Sequence, residues 1–236
     1  MAKTIRIVWI LLNVFVGTLV VGSTVILIGC FDKYKRHIGK WPHMWGKWLF
    51  WSTGIKLHIK GLKNLDRNTR YVFAINHQSN LDILAVLAAL PYSITILAKI
   101  QLFFVPFFGL ALYFGGAIPV RRGNKALARK SVNTAIMGLK NSYRSLFIFP
   151  EGTRTKTGEL GEFKRGGFHI PLEMQIPVVP VVIRGAREAL AARTLKFNNS
   201  ISIKLIINDP ISTVGMTARD RFFLAKKCRD IIQTCL

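Results

Sequence analysis

Acidic side chains are scarce in this sequence. Against 34 Lys and Arg the 236 residues hold only 11 Asp and Glu, a formal net charge of +23. So lopsided a balance argues for an anionic partner: nucleic acid, anionic lipid or a phosphorylated substrate. Cysteine is scarce too. Cys30, Cys228 and Cys235 make no CxxC pair and no cluster with histidine, which argues against a disulfide scaffold or a metal site and suits reduced thiols in a cytosol-facing protein. No P-loop or Rossmann glycine pattern is present, so no nucleotide cofactor is indicated. RNP-like sequence, zinc-finger spacing and a basic helix running into heptads are also missing, so nucleic acid is not the expected partner. Neither an internal repeat nor a low-complexity linker divides the chain.

What the sequence does have is apolar residues: half of the total and a mean hydropathy of +0.32. From residue 7 to residue 31 there is no charged residue at all. At ~1.5 Å per helical residue that run is long enough to cross a bilayer core of about 30 Å. It is long for a signal peptide's apolar region and lacks a clear cleavage site, so it reads as an uncleaved anchor. Gly17, Gly22 and Gly29 are expected to soften this helix, and a tilted or half-inserted helix is the alternative to a full span. Lys33, Lys35, Arg36, Lys40 and Lys47 follow it, a more basic flank than Lys3 with Arg6. The positive-inside bias therefore puts the rest of the chain on the cytoplasmic side of a membrane, taken as the bacterial inner membrane. Trp41, Trp45, Trp48 and Trp51, interleaved with lysines, suit a second helix at headgroup level, with a helix packed on the domain as the alternative. Residues 1–54 thus read as membrane-anchoring helices and 55–236 as an α/β domain.

Within 55–236, short apolar runs alternate with amphipathic stretches, which predicts a mixed, largely buried sheet flanked by helices. Strands are expected near 55–61, 70–75, 93–98, 117–120, 145–149, 176–183 and 201–207. Helices are expected at 81–90, 125–140, 166–174 and 217–234. Ala128, Val132, Ala135, Ile136 and Leu139 recur at helical spacing and mark one buried face. The stretch 101–114 is very apolar and is open to three readings: lining for an acyl chain, a dip into the bilayer, or ordinary core.

Residues 76–82 read Asn-His-Gln-Ser-Asn-Leu-Asp, between a strand and a helix. Were they all helical, five steps of about 100° would send His77 and Asp82 to different faces. An irregular turn that folds Asp82 back toward the imidazole is expected instead. Asp82 can then orient one ring nitrogen while the other takes a proton. A lone His–Asp pair is a weak signal, but it has companions. Pro150-Glu151-Gly152-Thr153-Arg154 closes another strand, where the glycine permits close backbone approach and the arginine can hold a phosphate through two hydrogen bonds. Arg121-Arg122-Gly123 closes a third.

Together these blocks resemble the glycerolipid acyltransferase family with the HxxxxD motif, and within it most the 1-acyl-glycerol-3-phosphate acyltransferases. Four blocks stand in the family's order: 76–83, 116–122, 149–154 and Val179-Pro180-Val181. The resemblance implies that His77 is the general base for a lysophospholipid hydroxyl, which attacks an acyl thioester, and that Asp82 holds the imidazole. It implies an acceptor site of Lys99, Arg122, Glu151, Gly152, Thr153 and Arg154, in which Glu151 holds an arginine or a hydroxyl. It implies lysophosphatidic acid as acceptor and acyl-CoA or acyl carrier protein as thioester co-substrate, with no resident cofactor or metal and with a membrane bilayer as partner. The chain departs from the family at Pro119, Arg121 and Gln101; the extra cation bears on acceptor choice. An acyltransferase for another lyso-lipid or for glycerol 3-phosphate, and a non-catalytic anionic-lipid binder, are the alternatives.

Overall fold

The computed structural model describes residues 2–32, 35, 37–121, 125–140, 142–155, 157–191, 194 and 196–236, without the side chains of 2, 3, 125 and 128. Seven strands form one sheet: β1 (Leu57–Lys60), β2 (Val72–Ile75), β3 (Ile94–Lys99), β4 (Ile118–Val120), β5 (Ser145–Ile148), β6 (Val178–Arg184) and β7 (Ile203–Ile207), in spatial order β1-β7-β6-β2-β5-β3-β4. From β6 to β4 every pairing is parallel, whereas β7 runs antiparallel to β6 and carries β1 parallel to itself. The sheet is therefore mixed. Its parallel part buries both faces, and β2 and β5 have no exposed residue. That explains why these strands read as unbroken apolar runs.

Alternate residues of β2 point into two cores. Phe73 and Ile75 join α3 (Leu81–Ala89) on one face. Val72 and Ala74 join α5 (Lys125–Lys140), α6 (His169–Met174) and α8 (Arg221–Thr234) on the other. Val132, Ala135, Ile136 and Leu139 are the face of α5 that packs there; the side chain of Ala128 lies outside the described residues. Thr217 starts a short 3-10 turn with a reciprocal cap, its hydroxyl accepting from Arg219 N–H and Asp220 accepting from Thr217 N–H, and α8 continues from it. One four-residue helix, α7 (Ala186–Ala189), has no counterpart in the periodicity.

The N-terminal region is α1 (Ala2–Phe31) followed by α2 (Lys40–Thr53). The stretch Thr4–Phe31 is long and apolar enough to cross a membrane, with a mean hydropathy of 2.3. Two of its three glycines serve close approach. A methyl at Gly22 would meet the Phe107 ring at 2.7 Å, and one at Gly29 would meet Phe114 O at 2.7 Å; both partners belong to α4 (Phe108–Phe114) or the residue before it. Nearer its start α1 lies on α2, where Trp48 Nε1 donates to Asn13 Oδ1 at 2.9 Å and Trp9 meets Trp51 edge to face. The other side of α2 packs on α3: a methyl at Gly46 would strike Ala88 N at 2.7 Å, and His43 Nδ1 lies 2.8 Å from Leu87 O. Trp51 stays 68% exposed, but most of α2 is sandwiched between α1 and the domain. Phe50 and Ile55, on either side of the sequence boundary near residue 54, share one core.

Candidate active site

Parallel strands with helical crossovers leave their functional loops at the carboxyl edge of the sheet. Here β2 ends at His77, β5 at Glu151–Arg154, β3 at Lys99 and β4 at Arg121, on neighbouring strands in the order β2-β5-β3-β4. At ~4.8 Å per strand, Lys99 starts about 10 Å and Arg121 about 14 Å along the sheet from β2, and the β5 loop lies next door. Arg122, one residue beyond Arg121, lies outside the described residues, as do Gly123 and Asn124.

The turn after β2 is held by side chains acting on backbone. Asn76 stands in for a further strand residue: its Nδ2 donates to Ile183 O at 2.9 Å and its Oδ1 accepts Ile183 N–H at 2.8 Å. Ser79 Oγ donates to Leu190 O at 2.6 Å. The chain thus leaves the strand plane and enters α3 one residue before Asp82. Asp82 Oδ2 is 2.8 Å from His77 Nδ1 and also accepts the N–H of Gln78 at 2.6 Å and of Ser79 at 2.7 Å. Its other oxygen is buried without a partner among the described residues, so the hydrogen bonds gather on the oxygen facing the ring. An ionised carboxylate only accepts, so Nδ1 carries the hydrogen and Nε2 is left with its lone pair. The His77 side chain is 14% exposed and that of Asp82 1%. Phe149 stacks on the imidazole at 3.9 Å and 16°, fixing the ring plane.

Among the described residues Glu151 holds neither an arginine nor a hydroxyl. Its Oε1 accepts the N–H of His77 at 2.8 Å and its Oε2 that of Gly161 at 3.0 Å. It is a brace between the two loops, assisted by Thr155 N–H donating to His77 O at 3.0 Å. Burial raises its pKa above the ordinary carboxyl value; the two backbone hydrogen bonds work in the opposite direction. Both carboxylate oxygens have backbone amide donors, so what Glu151 fixes is the backbone on either side of it.

Gly152 has φ +74, and a methyl there would meet Lys164 Nζ at 2.9 Å. The left-handed backbone is what requires glycine; the Lys164 ammonium is the end of a flexible side chain and could move aside. Thr153 is exposed beside it. Arg154 Nη1 donates to Asn80 Oδ1 at 2.5 Å. Asn80 occupies the N-cap position of α3 yet makes no cap hydrogen bond; its carboxamide holds the arginine instead. Lys99 and Arg121 are exposed, and neither they nor Arg154 form an ion pair among the described residues. Asn80, Phe149 and Lys164 were not assigned roles from sequence. Asn80 lies inside the His–Asp interval and could have been singled out, but nothing in sequence brings Lys164 to Gly152. Among the described residues no group of three or more His, Cys, Asp or Glu could hold a metal ion.

This edge brings an imidazole held by a carboxylate onto the same side of the sheet as cations that form no ion pair among the described residues. Residues 56–184 match the family described as Acyltransferase. Two relatives carry the name 1-acyl-sn-glycerol-3-phosphate acyltransferase. One, from Saccharomyces cerevisiae, is 32% identical over 83% of this chain and 65% of its own length. The other, from Cocos nucifera, is 30% identical over 89% of this chain and 68% of its own length. The chain thus spans just under two thirds of the yeast protein. In fold it superposes on the crystal structure of the 1-acyl-sn-glycerophosphate acyltransferase PlsC from Thermotoga maritima with a TM-score of 0.79 at 22% identity, covering 100% of this chain and 96% of that one.

Proposed function

The chain belongs to the acyltransferase family, and we propose that it moves a fatty acyl group from a thioester to the free hydroxyl of 1-acyl-glycerol 3-phosphate, forming phosphatidic acid. The observation that carries the proposal is the 2.8 Å His77–Asp82 contact at a strand end whose neighbours end in Arg154 and Lys99. The names of the yeast and coconut relatives support the same substrate.

In this scheme His77 Nε2 takes the hydroxyl proton while the hydroxyl oxygen attacks the thioester carbonyl carbon. A C–O bond forms, collapse of the tetrahedral intermediate breaks the C–S bond, and the imidazolium returns its proton to the departing thiolate. Asp82 keeps Nδ1 protonated and stabilises the transient imidazolium. The substrate oxygen is itself the nucleophile, so no side-chain nucleophile is required. Arg154, held by Asn80 in the loop after the strand next to β2, is the first cation within reach of the acceptor phosphate; Lys99 lies further along the edge, and the family resemblance adds Arg122 and Thr153 to the site. Acyl-CoA or acyl carrier protein serves as co-substrate, and the basic chain suits either acidic carrier. The exposed outer face of α1 and the basic flank after it support membrane attachment with the catalytic part on the cytoplasmic side. The division into anchor (1–54) and catalytic part (55–236) is one of role rather than of packing. The bacterial inner membrane is a proposal from the sequence.

The test is an acceptor panel assayed with both donors on wild type and His77→Ala. We expect lysophosphatidic acid to be the preferred acceptor. His77→Ala should lower turnover by about 10²–10⁴, the usual share of a positioned base, while the protein stays folded and membrane-bound. Retained turnover in the variant would remove His77 as the base.

A further inference from the structure

Between Lys99 and Arg121, two of the cations at the carboxyl edge, the chain has no charged residue. This excursion leaves the site through a 3-10 turn at Ile100–Phe104, continues into α4 and returns through β4. It exposes what a water-facing loop would hide: Phe104 is 76% exposed, Tyr113 68% and Leu110 54%, with Val105 and Leu102 also exposed. Singly such residues are ordinary; contiguous ones mark a contact surface.

The segment is built rather than loose. Phe108 N–H donates to Pro106 O at 2.6 Å around Phe107, whose φ of 62° and ψ of −55° form the rarer, positive-φ γ-turn. A non-glycine residue in that conformation is costly and persists where its surroundings over-determine it. Here the turn drives the Phe107 ring onto Gly22 of α1, and Gly109 lies so close to Phe103 O that a methyl would come within 2.1 Å. Residues 102–113 are thereby held against α1, which itself exposes Leu19, Val20, Leu27 and Phe31.

We infer that residues 102–113 are a second membrane-inserting element, entering lipid beside α1 and leaving Lys99 and Arg121 at the depth of the headgroup phosphates. The inference rests on the proposed membrane attachment and gives it a consequence: the acceptor's phosphate need not leave the headgroup plane to reach the site. The continuous apolar surface with α1 argues for a bilayer as the occupant. The uncharged run bounded by two cations argues the same way, since cations suit anionic headgroups and an apolar run suits the acyl region beneath them.

The experiment uses the full chain with Cys30→Ser and Cys235→Ser, leaving only buried Cys228. A single cysteine, Phe104→Cys or Tyr113→Cys, carries an environment-sensitive fluorophore; Met137→Cys on α5, where the native side chain is 75% exposed, is the reference. In phosphatidylcholine–phosphatidylglycerol vesicles, labels at 104 and 113 should shift to the blue, be quenched by acyl-chain nitroxides and be shielded from iodide, with the label at 137 doing the reverse. Iodide reaching 104 and 113 as freely as 137 overturns the inference. These signals need no turnover, so a failed acyltransferase assignment would leave them intact. The double variant Phe104→Ser/Tyr113→Ser should lose about tenfold in kcat/KM toward acceptor presented in vesicles and nothing toward a short-chain acceptor in solution. A loss on both substrates, or on neither, overturns it.

Discussion

Strand β5 has an arginine at each end, and the two are used in opposite ways. Arg144, just before it, is 5% exposed and gives its guanidinium to the carbonyls of Gly116 and Ile94. Burial pulls its pKa down to about 10, still far above neutrality. Arg154, after the strand, is half-buried and spends one nitrogen on Asn80. On the amino side of the sheet Arg70 likewise bonds the carbonyls of Leu139 and Ser142. On the carboxyl side Arg184 also bonds a carbonyl, that of Cys235, whereas Arg154 is held by a side chain and keeps donors to spare. The same residue type is thus structural where carbonyls surround it and available for binding where loops keep it at the surface. The net charge alone does not separate these uses.

The comparison is broken most strongly from the structural side. Arg144→Ala should destabilise the fold by about 2–4 kcal/mol, because two carbonyls lose their donor in a buried setting. A chemical-denaturation midpoint measures it, and acceptor KM in the surviving folded fraction should be unchanged. Arg154→Ala should do the converse. Acceptor KM rises by a factor equivalent to about 1.5–3 kcal/mol, as for a charge-assisted hydrogen bond, and the midpoint stays put. If KM is unmoved, Arg154 is not in the acceptor site.

Much of the site was legible in sequence, though not the structural use of Arg144, and the remainder failed for a common reason. The turn of residues 76–82 was recognisable because both halves of its chemistry lie within seven residues. Helix α5 was found at both ends because its apolar spacing is regular. Lys99, Glu151 and Arg154 were placed at strand ends because the apolar runs stop there. The purpose of Glu151 was not legible, since its partners are backbone N–H groups of His77 and Gly161, which carry no residue identity. Nor was that of Gly22 and Gly29. A glycine that softens a helix and one that admits a phenylalanine ring look alike until the ring is in place. The excursion from 100 to 120 could be read three ways because composition reports that a surface is apolar and not which side of it faces water.

A finer cut concerns what keeps Arg154 available. Asn80→Ala frees the guanidinium without removing it, so acceptor KM should rise only a few-fold, equivalent to roughly 1 kcal/mol, with donor KM and the pH profile unchanged. In a double-mutant cycle with Arg154→Ala the two losses should not add, because Asn80 acts only through the arginine. Additive losses would mean that Asn80 meets the substrate by itself.

The smallest expected effect is on pH dependence, and it tests whether Glu151 is a brace. Its folded-state pKa lies above the ordinary 4.5 because burial disfavours the charge. Between those two values the folded protein binds more protons than the unfolded chain. Stability from this group is therefore full below pH 4.5 and declines as pH rises through the folded value. Glu151→Gln removes that decline but turns an amide donor toward either His77 N–H or Gly161 N–H, losing one hydrogen bond worth about 1 kcal/mol. The variant should be less stable than wild type at pH 4.5, and the gap should narrow toward pH 7, as read from denaturation midpoints. A gap that widens over that interval would mean that the carboxylate is stabilised by the two amides beyond its burial cost, and would make Glu151 a stronger brace than its raised pKa implies.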